Sequence, residues 1–558
     1  GITIKAKNAA FQYRDHHVNI VDTPGHADFG GEVERSLSMI DGVLLLVDAK
    51  EGPQAQTRFV LRKALEAGAQ PIVVINKIDR DHARPDWVLD QVFELFIALG
   101  ATDEQLDFPY IYASAKDGYA TSDSTKLGDD MTPLFDMILE RVPAPSSDDG
   151  EGYRIAVANV SYSDYLGRIG FGKIRTGTIR VGDPLFGLRG DAEPVAGKVT
   201  ALFHFEGLKQ IQIEEAHAGD IVGVAGLSDV LIGETLVDNL DRPPLPFKPI
   251  DPPTIKMAFA VNDGPLAGLD GKKVTARSIW ERLEREGRAN VSLQVAQTDN
   301  SKIFHVTGRG GMQIAVLVEQ MRREGYEVLV SRPEVLKHQD ENGKWLEPIE
   351  KVFLEVPQDA VGDVMEALAT RKGNVTDMAP AGDRMTLEAL VPTRGLIGFE
   401  VELLNFTRGE GIMSHLFHEY APDAGEIPAR RTGVLVSMED GTVTAYALDT
   451  LQGRGRMLVV PGDKVYKGMI VGENARDNDL PVNPIRAKHL NNFRSQGDGK
   501  GILLNAPMIL SLERALEYIA PDEYVEATPG TLRLRKKILN EHDRKRAEKQ
   551  RATQLAPA

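Results

Sequence analysis

The chain has 558 residues, of which 42% are hydrophobic and 26% charged, with a net charge of −17. These values suit a globular protein of roughly four domains, and the acidic balance argues against one that coats nucleic acid over its whole surface. There is no cysteine, so disulfides, thiolate metal sites and cysteine nucleophiles are excluded.

No run of about 18 apolar residues occurs, and there is no basic-then-apolar secretory start. No membrane contact and a cytoplasmic location are expected.

The first 21 residues read as a hairpin. Ile4-Lys5-Ala6-Lys7 and Phe11-Gln12-Tyr13 alternate, Arg14-Asp15-His16-His17 makes the turn, and Val18–Val21 runs into Asp22. Residues 22–26 are Asp-Thr-Pro-Gly-His. A strand ending in Asp, a Gly-containing turn and a His suit nucleoside triphosphate hydrolysis. Asp22 can hold Mg²⁺ through a water. Gly25 offers an N–H to the γ-phosphate because no side chain blocks the approach. His26 can orient the attacking water, since phosphoryl transfer depends mostly on positioning and charge stabilisation. The plainer reading of His26 is a cap on a helix over 28–39.

Val43–Val47 and Pro71–Ile75 are short apolar runs, as in parallel strands buried on both faces. Residues 57–67 and 86–99 read as helices. Alternating strands and helices predict a doubly wound sheet with its ligand at the strands' carboxyl ends. Asn76-Lys77-Ile78-Asp79 follows the second run. Asp79 can accept from N1–H and the 2-amino group of guanine, a donor pair adenine lacks. Lys77 can lay its stem along the base, and Asn76 can tie loops together. Such pairing can discriminate by about 10⁴–10⁵. Ser114-Ala115-Lys116 can supply a backbone N–H to the guanine carbonyl oxygen.

Thr3, in Gly1-Ile2-Thr3-Ile4, can ligate Mg²⁺ when a γ-phosphate is present, an order–disorder switch. Yet no Gly-x-x-x-x-Gly-Lys-Ser/Thr phosphate loop occurs anywhere. The strand and helix that frame such a loop are missing with it. An N-terminal truncation is expected. GTP hydrolysis would then belong to the intact protein, and the 558 residues alone would be inactive.

Residues 143–150 (PAPSSDDG) read as a linker. From Tyr153 to Asn239, short β-rich segments alternate with Gly turns, as in a small β-barrel. After the proline clusters at 243–246 and 251–253, the order β-α-β-β-α-β over 254–331 predicts a ferredoxin-like module. A second such pattern begins near Glu347. His415 and His418 lie on a stretch that reads as a strand, and no carboxylate cluster completes a metal shell. Residues 433–470 are Gly- and β-rich. The loop at 488–500 (KHLNNFRSQGDGK) offers Lys488, Arg494 and Lys500 to RNA phosphates and Phe493 to a base. A basic cluster from Arg533 to Arg551 reads equally well as a solvated helix.

The three motifs, with Gly1–Ile4 upstream, resemble the translational GTPases related to elongation factor G. Residues 22–35 (DTPGHADFGGEVER), 306–333 (VTGRGGMQIAVLVEQMRREGYEVLVSRP) and 391–399 (VPTRGLIGF) resemble the BipA/TypA version. The resemblance runs to about residue 545. It implies a GTP- and Mg²⁺-dependent cytoplasmic factor that binds the ribosome through rRNA, with tRNA as a further partner. It also implies roles in large-subunit assembly and in stress or cold adaptation. The gap at 332–347 is too short for the extra domain of elongation factor G. LepA shares that lack, and the tail from 433 is what separates the two.

The expected architecture is multidomain α/β and β. An incomplete P-loop GTPase domain (1–145) precedes a β-barrel (151–245), two ferredoxin-like α+β domains (250–335 and 345–425) and a β-rich C-terminal ribosome-contacting domain (426–558). A monomer is expected. The alternatives are a LepA-like elongation factor and a non-enzymatic ribosome-binding scaffold.

Overall fold

The structure is a computed structural model. It describes residues 6–23, 30–69, 71–145, 152–163, 165–189, 192–246, 253–290, 293–381, 384–427, 430, 432–487 and 502–555. The chain divides into two compact units, 1–252 with 288–292, and 253–287 with 293–558.

The first unit opens with an antiparallel hairpin, β1 (Lys7–Tyr13) and β2 (His16–Asp22). The turn is tighter than the sequence suggests. Only Arg14 and Asp15 lie outside the strands, and Arg14 adopts φ +50° to close it. After α1 (Gly30–Leu37) comes a four-stranded sheet. Its strands are β3 (Val43–Asp48), β4 (Pro71–Asn76), β5 (Tyr110–Ser114) and β6 (Tyr119–Thr121), with the first three parallel. Helices α2 (Ala55–Glu66), α3 (Pro85–Ala98), a short α4 (Asp103–Leu106) and α5 (Thr132–Arg141) complete the domain. Thr102 caps α4 through its hydroxyl.

The period-2 side-chain alternation of a strand explains how β4 is covered twice. Val73 and Ile75 pack with Leu61 of α2 and with Val88, Val92 and Phe96 of α3. Val74 packs on the other face with Ile111 and Leu134. β3 departs from the expected burial on both faces. Leu45 and Val47 are buried, but Leu44 and Leu46 are 39% and 58% exposed. β3 pairs only with β4 among the described residues, and its second face is left open.

The hairpin leans on α5 and on the domain that follows. Phe11 and Tyr13 place their rings 5.0 and 5.2 Å from that of Phe135. Ala10 exchanges backbone hydrogen bonds of 3.1 and 2.8 Å with Gly207. The following domain is the β-barrel, spanning Arg154 to Val237 in an eight-stranded antiparallel sheet and a two-stranded annex. Its core includes Ile155, Val157, Ile174, Leu202, Val222 and Leu236.

The second unit contains two ferredoxin-like modules. The first comprises β7 (Ile255–Val261), α6 (Ala276–Ala289), β8 (Gln294–Gln297), β9 (Ile303–Gly308), α7 (Gly311–Arg323) and β10 (Val328–Ser331). Its spatial strand order is β8-β9-β7-β10, all antiparallel. The second comprises β11 (Trp345–Pro357), α8 (Val361–Thr370), β12 (Asn374–Ala381), β13 (Arg384–Pro392), α9 (Thr393–Leu396), α10 (Phe399–Phe406) and β14 (Ile412–Pro422). It repeats the arrangement as β12-β13-β11-β14. The stretch holding His415 and His418 is a strand, and the His415 ring contacts the Glu350 carboxylate.

The sheet of the first module does not stop at β10. Val328–Ser331 pairs antiparallel with β18 (Glu523–Ala527), which pairs with β19 (Leu532–Lys536). The C-terminal strands β16 (Met469–Asn474), β15 (Val434–Ser437) and β17 (Leu480–Val482) follow, within an eleven-stranded sheet. Between β15 and β16 the expected β-rich run contains a helix, Ala445–Leu451, capped by the Thr444 hydroxyl. Two carboxylates buried beside the shared sheet are well partnered. Glu327 is fully buried and accepts from the N–H groups of Gly268, Asp270 and Gly271 at 2.8, 3.0 and 2.6 Å, and from Asn262 Nδ2 at 3.3 Å. Glu526 accepts from Asn262, Arg533 and the Tyr466 hydroxyl.

Candidate guanine-nucleotide site

Three strand ends converge at the carboxyl edge of the parallel sheet, where α/β folds bind ligands. β3 ends in Asp48, opposite Asn76 at the end of β4, and Ala113 of β5 lies opposite Asn76 on the other side. The chain turns sharply after β4. Lys77 has φ +65°, a conformation L residues rarely adopt. The turn lets Lys77 N–H donate to Asn76 Oδ1 at 2.8 Å. The same oxygen accepts from Ala115 N–H at 3.0 Å. Asn76 thus ties the two loops together.

Lys77 reaches back to Asp48, with Nζ to Oδ2 at 2.7 Å, and Arg80 joins the same oxygen at 3.2 Å. The other Asp48 oxygen accepts from the N–H groups of Lys50 and Glu51. Burial pushes the Asp48 carboxyl up, but the Lys77 ammonium and the two N–H donors outweigh it and hold it below its ordinary value. Asp48 therefore anchors the lysine. Sequence reasoning missed it. The available signal was an Asp closing a parallel strand beside the Asn-bearing one.

Ser114 is fully buried at the end of β5. Its hydroxyl lies 2.9 Å from Asp79 Oδ1 and 2.8 Å from Asp117 Oδ2. Asp79 itself is exposed, and its Oδ2 has no hydrogen-bond partner among the described residues. The structure thus brings Asn76, Lys77, Asp79, Ser114 and Ala115 into one cluster. Because Ala115 N–H is engaged by Asn76, the neighbouring free N–H is that of Lys116, for which no partner occurs among the described residues.

Asp22 closes β2 with an exposed carboxylate that has no hydrogen-bond or ion-pair partner among the described residues. A free carboxylate oxygen suits Mg²⁺, which takes hard oxygen ligands. Thr3, Gly25 and His26 lie outside the described residues, as do Lys488, Phe493, Arg494 and Lys500. Elsewhere, Asp479, Asp522 and Glu523 come within metal-ligand reach of one another. The Lys536 ammonium already sits among them, 2.9 Å from Asp522 and 2.8 Å from Glu523, so the chain supplies its own cation there.

The sheet and the loops at 76–79 and 114–116 fit a GTPase domain of the translation-factor type, followed by a barrel and two ferredoxin-like modules. Four family profiles match in chain order. They are the elongation factor Tu GTP binding domain (1–144), elongation factor Tu domain 2 (167–237), the elongation factor G C-terminus (344–431) and the TypA/BipA C-terminal domain (432–541). Among curated proteins, a Bacillus subtilis protein named large ribosomal subunit assembly factor BipA is 48% identical over 99% of this chain and 90% of its own length. Proteins of the same name from Haemophilus influenzae and Escherichia coli K12 are 47% and 45% identical over 98% of this chain, and over 89% and 91% of their own lengths. A crystal structure of a Thermus thermophilus protein shares the fold, with a TM-score of 0.52 at 18% identity over 76% of this chain and 90% of that one. The chain belongs to the BipA family of translational GTPases.

Proposed function

We propose that this protein is a guanine-nucleotide-governed switch that binds the ribosome during assembly of the large subunit. The observation that supports it most is the Asp79 carboxylate, one oxygen of which lies beside the buried Ser114 hydroxyl that it shares with Asp117, while the other is open among the described residues. A preset acceptor of this kind selects the donor pair of guanine and leaves adenine unpaired. Lys77, held extended by Asp48, flanks the base, and Lys116 N–H is available to the base carbonyl. Asp22 is assigned to Mg²⁺ through water, with Thr3 as a direct ligand and Gly25 as an N–H donor to phosphate. The ion, when bound, neutralises charge on the phosphate oxygens. His26 is assigned to hold the attacking water. Lys488, Phe493, Arg494 and Lys500 are assigned to RNA contact. The assembly role rests on the relatives' names, and a monomer in the cytoplasm fits it. The five segments read from sequence are proposed as the functional domains.

Because the 558 residues hold no phosphate loop, the base end carries nucleotide recognition in this chain, and hydrolysis by it alone is not expected. Titration with fluorescent GDP and ADP in Mg²⁺ tests the reading. Weak but guanine-selective binding is the expected result. Equal binding of both nucleotides, or of neither, favours the scaffold reading instead. A chimera carrying a Gly-x-x-x-x-Gly-Lys-Ser/Thr strand–loop–helix segment ahead of Gly1 should hydrolyse GTP on ribosomes. His26→Ala in that chimera should abolish stimulated turnover while sparing binding. Persisting turnover would remove His26 from its role.

A further inference from the structure

In the second unit, a cavity of about 240 Å³ opens between the loop after β10, the segment holding α9, Ile427 in the chain after β14, Pro521 ahead of β18 and Lys537 after β19. Four of its lining residues are cationic, namely Arg332, Lys337, Arg394 and Lys537. Lys337 is paired with Asp423, and Arg394 meets Glu347 and Asp423 at 2.9 Å each. Lys537 places its ammonium 5.0 Å from the centre of the Tyr524 ring. The one acidic lining residue, Glu334, is engaged by Lys256 at 3.2 Å.

Arg332 differs from its neighbours. It is half-buried, and its guanidinium makes a long 3.5 Å hydrogen bond to the Ile519 carbonyl. No carboxylate pairs with it among the described residues. Burial, together with the nearby guanidinium groups of Arg371 and Arg430, pushes its pKa down to about 10, with Glu517 and Glu523 too weak to offset them. It remains charged at neutral pH.

A partly desolvated guanidinium with no carboxylate in ion-pair contact is costly to keep in a fold. It becomes favourable when an oxyanion supplies the missing charge, because the guanidinium fork matches phosphate geometry and binds it through two parallel hydrogen bonds. The cavity is too small for a drug-sized ligand, whose sites begin near roughly 300 Å³, but has room for one or two phosphoryl groups. We propose that this cavity is a phosphate-binding site, with Arg332 as the primary ligand and Lys537 as its partner. The site does not depend on the guanine-reading loops.

The test is thermal unfolding of the whole chain in pyrophosphate against sodium chloride at matched ionic strength. Wild type should gain a few degrees in millimolar pyrophosphate, because a ligand bound only by the folded state raises its stability. Arg332→Gln should lose that response while unfolding in chloride no earlier than wild type. Arg332→Lys should keep part of it. A structural arginine would behave oppositely, with a lowered midpoint in chloride and an unchanged pyrophosphate response. No response in wild type, or an equal one in Arg332→Gln, overturns the proposal. Should Arg332→Gln not fold, Lys537→Gln is read by the same criteria. A ten-nucleotide uridine RNA then distinguishes the phosphate's source. At least tenfold weaker RNA binding by the variant assigns the site to a phosphate carried on RNA. Unchanged RNA binding with a lost pyrophosphate response assigns it to a free anion.

Discussion

Asp79 and Glu327 are both carboxylates beside the ends of sheet strands, yet they play opposite parts. Glu327 is fully buried, and three backbone N–H groups and an amide fill its oxygens. Asp79 is exposed, and one of its oxygens is unclaimed among the described residues. Backbone donors close the first group into the fold. The second meets one buried hydroxyl, which it shares with Asp117. The difference lies in burial and pairing, and residue type alone does not show it.

Removing each carboxylate should sharpen the contrast. Glu327→Ala leaves three N–H groups unpaired in the interior and should cost about 3–5 kcal/mol, measured as a lowered denaturation midpoint of the second unit. Nucleotide binding at the first unit should be unaffected. Asp79→Asn should do the reverse. Guanine-over-adenine preference should fall by about 10²-fold, since an amide replaces one acceptor with a donor, while the unfolding midpoint stays within about 0.5 kcal/mol. If Asp79→Asn unfolds the protein, or leaves the base preference intact, the contrast fails.

The smallest effect concerns Asp48. Its carboxyl is held below the ordinary value, so its contribution is present above that value and is lost as pH falls through the lowered one. Asp48→Asn should cost about 0.5–1 kcal/mol at neutral pH, because its partners Lys77 and Arg80 are largely exposed. The difference between variant and wild type should vanish under strongly acidic conditions, as followed by urea unfolding at several pH values.

Much of the site was legible because its motifs follow apolar strands. Asn76 closes β4 as the apolar run before it suggests. Asp48 escaped notice because the Asp after Val43–Val47 marks only a strand end, and the register that sets it opposite Asn76 is not written locally. The use of Ala115 N–H by Asn76 was hidden for the same reason. The ferredoxin-like order showed in both modules as alternating periodicities. The half-open face of β3 did not, because Val43–Val47 is apolar throughout and reads as covered on both sides. The helix Ala445–Leu451 was masked by the glycine-rich stretches around it.

The pairing of Val328–Ser331 with Glu523–Ala527 has a consequence for biosynthesis. A translating ribosome adds about 5–20 residues per second, so the earlier strand waits on the order of ten to forty seconds before its partner emerges. During that interval the edge of the strand away from β7 offers an unmatched template on which another nascent chain could dock. Completion of this sheet therefore waits for Glu523–Ala527 to leave the exit tunnel. A chain cut short before Glu523 should be captured by chaperones or aggregate, however well its earlier domains have folded.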